Sequence, residues 1–316
     1  MRIDPHVHFR DEEQSYKETI AHGLRVAKEM GVEIVFDMPN TARPVLGEED
    51  VKRRLALVPK GEEERYYTYI GVSKEKNQLK NAVKTANSNE KVSGLKMFAG
   101  KSVGNLEILE ESTQQEVYDT LSEENFRGVL AVHCEKESLM NNSFDSKNPI
   151  SHCFSRPKKA EIESVRDQIS FAKKANFKGN LHICHASCKE TVDLVNEAKK
   201  SIRITCGVTP HHLLWDSTRM IEPNGLLYKM NPPLRDEQSV NELRKCVTEG
   251  KVDWIETDHA PHAVGEKLLA GFPSGYPSLY LYKNFVEEFL PKLGLNEKII
   301  EEMTFGKINS VFELNL

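Results

Sequence analysis

Eight short apolar stretches, rich in β-branched and aromatic residues, recur along the chain at 3–9, 33–38, 66–72, 92–98, 128–133, 180–185, 202–208 and 252–258. Between them run segments whose apolar positions repeat with the helical period, at 16–30, 48–57, 114–122, 158–175, 189–200 and 237–248. Strand alternating with helix predicts parallel pairing with helical crossovers, because a tight turn cannot return the chain to a parallel neighbour. Eight such units in 316 residues predict an α/β chain closed into a (β/α)8 TIM barrel. No Pro/Gly/Ser-rich linker divides the chain, so one barrel domain is expected over 1–316. The longer connections, 36–48, 98–110, 135–159, 208–236 and 259–278, all follow a strand and therefore belong to the C-terminal face. Barrels carry their chemistry on that face. Of these loops, 135–159 and 259–278 are the candidates for covering a bound ligand.

Polar residues at the ends of these strands give the barrel a purpose. His6 and His8 lie two apart, so their side chains share a face and can grip one metal ion. Arg10 has the same parity and can hold a carboxylate beside that metal. Lys96 falls near the end of the fourth strand, His133 ends the fifth, His185 the sixth and Asp258 the eighth. Any one of them alone reads as a polar residue meeting solvent. Their shared placement at one mouth predicts a metal centre.

An ammonium at Lys96 would be repelled by metal cations and disfavoured by burial. A neutral amine there can instead combine with carbon dioxide, giving a carbamate whose two oxygens bridge two cations. His182 and His185 have opposite parity, which predicts that only one of them faces inward. His185, at the strand end, is assigned to metal, and His182 to packing or to orienting a ligand. His211 and His212 fall in a predicted loop and are assigned to packing. Asp258 can touch a metal through one oxygen and exchange a proton through the other, and His262 is placed to contact substrate.

Composition narrows the class. A net charge of −5 without a basic patch argues against a nucleic-acid binder. No apolar run reaches membrane-spanning length, and the N-terminus lacks the basic and apolar regions of a secretory signal. The six cysteines, Cys134, Cys153, Cys184, Cys188, Cys206 and Cys246, form no Cys-x-x-Cys pair and read as reduced thiols of a cytoplasmic protein. Cys184 is expected to be a buried structural thiol.

The motifs His6-Val7-His8-Phe9-Arg10-Asp11, Met38-Pro39-Asn40-Thr41, Met230-Asn231-Pro232-Pro233-Leu234-Arg235 and Asp258-His259-Ala260-Pro261-His262 resemble, in order, those of the cyclic amidohydrolases and, within them, the dihydroorotases. Hydantoinases and allantoinases share the metal motifs. The arginine after His-x-His and the two asparagine motifs are what point to dihydroorotase. The resemblance implies two Zn2+ ions, one held by His6, His8 and Asp258 and the other by His133 and His185. A carboxylated Lys96 and a hydroxide would bridge them, and Gly94-Leu95-Lys96-Met97-Phe98 looks like the lysine type of bridge.

It further implies that Arg10, Asn40 and His262 bind the substrate carboxylate and that Asn231 contacts the pyrimidine ring. The implied reaction is reversible closure of N-carbamoyl-L-aspartate to L-dihydroorotate in pyrimidine biosynthesis, with Asp258 as general base and acid toward the bridging hydroxide. A homo-oligomer and an aspartate carbamoyltransferase are the partners the resemblance admits. Rival readings are an allantoinase or hydantoinase-like enzyme and a non-catalytic dihydroorotase-like partner protein. Three departures stand out. Glu12-Glu13-Gln14 replaces the Pro-Gly that many relatives carry after the arginine, Gly271-Phe272-Pro273-Ser274-Gly275 only loosely matches the usual Gly-x-Pro-Gly loop, and no flanking β-sandwich is evident.

Overall fold

A computed structural model describes residues 1–101 and 105–316. The strands are β1 (Ile3–Val7), β2 (Ile34–Asp37), β3 (Tyr66–Gly71), β4 (Val92–Ala99), β5 (Val129–Cys134), β6 (Asn180–Ile183), β7 (Ile204–Val208) and β8 (Trp254–Ile255). They follow one another in chain order in a single parallel sheet, as the alternating pattern predicts. The strands are buried over nearly their whole length, because helices cover the outer face and side chains fill the inner one. Closure between β8 and β1 runs through the loop end: Val7 bridges His259, and the His8 N–H donates to the His259 carbonyl at 2.7 Å. Inside the barrel Asp4 reinforces the seam by accepting from both the N–H and the hydroxyl of Thr257.

The helices fall close to the predicted ranges, with informative exceptions. The first begins at Ile20, not at residue 16, because Thr19 caps it and Asp11 accepts from the Ile20 N–H, which ties residues 11–19 into a turn. Helix Lys76–Ser88, between β3 and β4, escapes the periodic pattern because its buried face is built of only Leu79, Ala82, Val83 and Thr85. His211 and His212 lie in a short helix, Pro210–Leu214, capped by Thr209, where a loop is predicted. Beyond β8, helical turns from Leu279 to Val311 carry Phe312 beneath the barrel. There it meets Phe36 at 4.8 Å and Trp254 at 5.9 Å and seals the end opposite the mouth. Residues 102–104 of the predicted connection 98–110 lie outside the described residues. No described helix is long and apolar enough to cross a membrane.

Candidate active site

The ten residues singled out from the sequence converge. His6, His8, Arg10, Asn40, Lys96, His133, His185, Asn231, Asp258 and His262 all line one cavity of about 270 Å3 at the C-terminal mouth. Two strand ends turn sharply to deliver their side chains. His185 has φ +39° and Asp258 φ +48°, a backbone region costly for residues with a Cβ. β6 ends at Ile183, so the alternation that predicts one inward histidine stops before His185. Both histidines therefore reach the barrel axis: His185 at the mouth, and His182 below it, stacked on Trp254 at 4.3 Å.

The tautomers of His8 and His133 are fixed by what stands behind each ring. His8 Nδ1 donates to Asn40 Oδ1 at 2.8 Å, leaving its Nε2 lone pair facing His6 Nε2 at 3.2 Å and Asp258 Oδ1 at 3.0 Å. Burial pushes the His8 pKa down to about 4, which keeps that lone pair available. His133 Nε2 lies 3.1 Å from Glu135 Oε2 and donates to it, so its Nδ1 lone pair faces His185 Nε2 at 3.1 Å. Glu135 is buried, yet Arg156, gripping both of its oxygens, and His133 hold its pKa well below the usual carboxylate range. Asp258 is likewise buried, yet its contact with His8 and the charge of His6 hold its pKa below the usual carboxylate range and keep it ionised.

Glu256 is the residue the sequence reading overlooked. Fully buried, it accepts from the His185 backbone N–H at 2.5 Å, His182 Nε2 at 2.9 Å and Trp254 Nε1 at 2.9 Å. His6 Nδ1, which has no hydrogen-bond partner, lies 3.5 Å from its Oε1. Room for the carboxylate comes from Gly207, where a Cβ would sit 2.5 Å from Glu256 Oε2. The signal was available, because Glu256 stands two residues before Asp258, as Glu135 stands two after His133.

Lys96 is completely buried in the barrel, and its Nζ donates to Cys184 Sγ at 3.0 Å; among the described residues no carboxylate pairs with it. Cys184 is thus more than a packing thiol. Burial alone would raise its pKa, but Lys96 and His6 outweigh that and bring it down to about 5. His6, His8 and Asp258 form one buried group of metal-capable atoms, and His6, Cys184 and Glu256 form another. Ring nitrogens and a carboxylate packed this closely, His6 Nε2 3.2 Å from His8 Nε2 and 3.3 Å from Asp258 Oδ1, are what a metal ion draws together. The donor set fits zinc.

The opposite side of the cavity is cationic. Arg10 is buried; its Nε donates to the Pro261 carbonyl at 3.2 Å, its Nη2 lies 3.3 Å from His262 Nε2, and no carboxylate pairs with it among the described residues. Lys17 donates to His262 Nδ1 at 3.3 Å, so Nε2 carries the proton and donates to the Ser274 carbonyl at 3.1 Å. Burial, with Arg10, Lys17 and Lys267 nearby, pushes the His262 pKa down to about 2 and keeps the ring neutral. Lys267, buried, donates to the carbonyls of Lys229, Pro273 and Gly275 at 2.7, 3.1 and 2.7 Å, which joins the loop after Lys229 to the 271–275 loop. Lys17 and Lys267 carry no sequence signal, since each acts across more than thirty residues or through backbone carbonyls.

No family model matches the chain. It is 31% identical over 292 residues to a dihydroorotase of Macrococcus caseolyticus, covering 88% of this chain and 66% of that protein. To a dihydroorotase of Methanosphaera stadtmanae it is 31% identical, covering 84% of this chain and 59% of the relative, so the chain spans about three fifths to two thirds of their length. Among solved structures, the dihydropyrimidinase of Brevibacillus agri superposes with a TM-score of 0.80 at 21% identity, over 99% of this chain and 70% of that one. Dihydroorotase of Saccharomyces cerevisiae in complex with 5-fluoroorotic acid superposes with a TM-score of 0.77 at 17% identity, over 99% of this chain and 84% of that one. These structures share its barrel. A dihydroorotase of Lactobacillus helveticus is 31% identical over 306 residues, which cover 90% of this chain and 67% of that protein, and on that footing the chain belongs to the dihydroorotase family.

Proposed function

We propose that the chain is a zinc-dependent hydrolase of cyclic amides that interconverts L-dihydroorotate and N-carbamoyl-L-aspartate in pyrimidine biosynthesis. The observation that carries this reading is Arg10, a buried guanidinium without a carboxylate partner among the described residues, lining the same cavity as the His6, His8 and Asp258 cluster. A buried cation left unpaired is costly, and a substrate carboxylate would pair it. Dihydroorotate carries that carboxylate on a cyclic amide; dihydrouracil and hydantoin do not.

His6, His8 and Asp258 would hold one zinc and His133 and His185 the other, with Lys96, carboxylated on Nζ, shared between them. Bound there, the metals supply Lewis acidity and a water whose pKa falls to about 7. Arg10, Asn40 and His262 would orient the substrate carboxylate, and Asn231 would meet the ring. Asp258, kept ionised, takes a proton from the attacking water as its oxygen bonds to the ring amide carbon. It returns that proton to the ring nitrogen as the carbon–nitrogen bond breaks, which yields the ureido group and a carboxylic acid that releases water's second proton to solvent to become the carboxylate. With its six cysteines free, the protein is assigned to the cytoplasm.

The test is hydrolysis of L-dihydroorotate by zinc-loaded protein in bicarbonate, beside allantoin, hydantoin and dihydrouracil. Turnover selective for dihydroorotate is expected, and comparable turnover of dihydrouracil would sink the assignment. Two bound zincs with no activity on any ring would favour a non-catalytic partner protein.

A further inference from the structure

Asn231 lines the cavity, and a carboxamide there can offer substrate either an acceptor oxygen or a pair of N–H donors. The structure determines which. His152, in the short helix Ser151–Ser155 of the 135–159 connection, is buried, and its Nε2 lies 2.9 Å from the Met230 carbonyl oxygen and 3.1 Å from Asn231 Oδ1. A peptide carbonyl only accepts, so His152 Nε2 must carry the hydrogen. A protonated Nε2 in turn requires the oxygen of Asn231 on its side, since the amine there would set donor against donor. The Nδ2 amine is the end left for the cavity.

The ring is held in that role. Phe144 meets it edge-on at 5.8 Å, and the Lys229 ammonium stands 4.8 Å from the centre of the same phenyl ring. Burial, with the charges of Lys229 and Arg156, pushes the His152 pKa down to about 3, so the imidazole stays neutral near pH 7 and keeps one N–H and one lone pair.

We propose that His152 is a positioning residue that locks Asn231 as a hydrogen-bond donor, so that the site selects a ring presenting a carbonyl oxygen at that edge. For the reaction proposed above, on which this inference rests, the ureido carbonyl is the acceptor available. A ring bearing a thiocarbonyl there, a much weaker acceptor, is disfavoured because the Asn231 amine is left poorly paired.

Steady-state kinetics on L-dihydroorotate and its 2-thio analogue, with wild type, His152→Met and His152→Gln, tests the proposal. Methionine fills the space without a donor, whereas glutamine keeps an N–H near the position of Nε2. The methionine variant is expected to raise KM for dihydroorotate about tenfold with kcat changed less than about twofold, and to bring the oxo-to-thio preference toward one. The glutamine variant should restore most of both. A fall in kcat with the oxo-to-thio preference intact in both variants means a merely structural role and overturns the proposal.

If wild type turns over neither ring, the function proposed above has failed, and the imidazole 15N spectrum decides the inference separately. The His152 signals, identified by their loss in the glutamine variant, must show a protonated Nε2. A protonated Nδ1 refutes the lock. Because that spectrum needs only wild type and the glutamine variant, a methionine variant that fails to fold leaves the test intact.

Discussion

On one side of the cavity, the His8 and His133 imidazoles are backed by Asn40 and Glu135, and Glu256 holds the His185 backbone N–H; on the other, Arg10, Lys17 and Lys267 surround a neutral His262. The first wall stands on strand ends fixed by barrel register, and its acceptors sit behind the rings so that lone pairs point forward. The second is made of loops, and its cations are satisfied largely by backbone carbonyls. Buried acceptors make a place for cations; buried donors make a place for an anion. One cavity can hold both only because the charges are kept on separate walls, which implies that each wall can be disabled without the other.

The largest effects should come where both walls must meet. Asp258→Asn is expected to lower dihydroorotate turnover by about 10²–10⁴-fold while the barrel stays folded, measured by initial rates beside circular dichroism. Lys96→Ala should fall in the same range and not recover in bicarbonate.

Next, Arg10→Met should lower kcat/KM for dihydroorotate about 100-fold, with zinc content by elemental analysis unchanged. Lost zinc in that variant would break the separation of the walls. Its mirror image is Glu256→Gln, which should weaken zinc about 10–100-fold in a chelator competition. After reloading with excess zinc, KM for dihydroorotate should be close to wild type.

Smaller effects sharpen the same contrast. His152 and His212, held down near 3 and 4 from an ordinary 6.5, are neutral in the fold and protonate in the unfolded chain. Between about pH 4 and 6.5 the unfolded state therefore binds more protons, so stability rises with pH across that window and is lost on acidification. Denaturant titrations of His212→Gln from pH 4 to 7 should show a shallower slope. Smallest of all, Thr19→Ala removes the cap from the first helix and should cost about 1 kcal/mol with both walls unaffected.

Much of the imidazole wall was legible because it is local. His6, His8 and Arg10 keep the parity of an extended segment, and His133 follows a run that can only be strand. Parity failed at His185, because β6 stops at Ile183 and the next residues turn through a left-handed conformation that no alternation encodes. Glu256 was missed although its spacing from Asp258 repeats that of Glu135 from His133; its value lies in holding His182, the His185 backbone and Trp254 at once. The cationic wall was half visible. Arg10, Asn231 and His262 stand in motifs, whereas Lys17, His152 and Lys267 matter only through loops that meet in space. For the same reason the helix Lys76–Ser88, with its small-residue face, and the turns that carry Phe312 under the barrel left little trace in the pattern.

The missing side chain at Gly207 has a consequence for which substitutions stay open. A Cβ there would sit 2.5 Å from Glu256 Oε2, so a side chain at 207 and a Glu256 carboxylate keeping its three hydrogen bonds exclude one another. Held by His182, the His185 backbone and Trp254, the carboxylate resists being pushed aside by a side chain at 207. The two positions are therefore coupled, and Gly207→Ala should be tolerated better in a chain that has already given up the acid at 256.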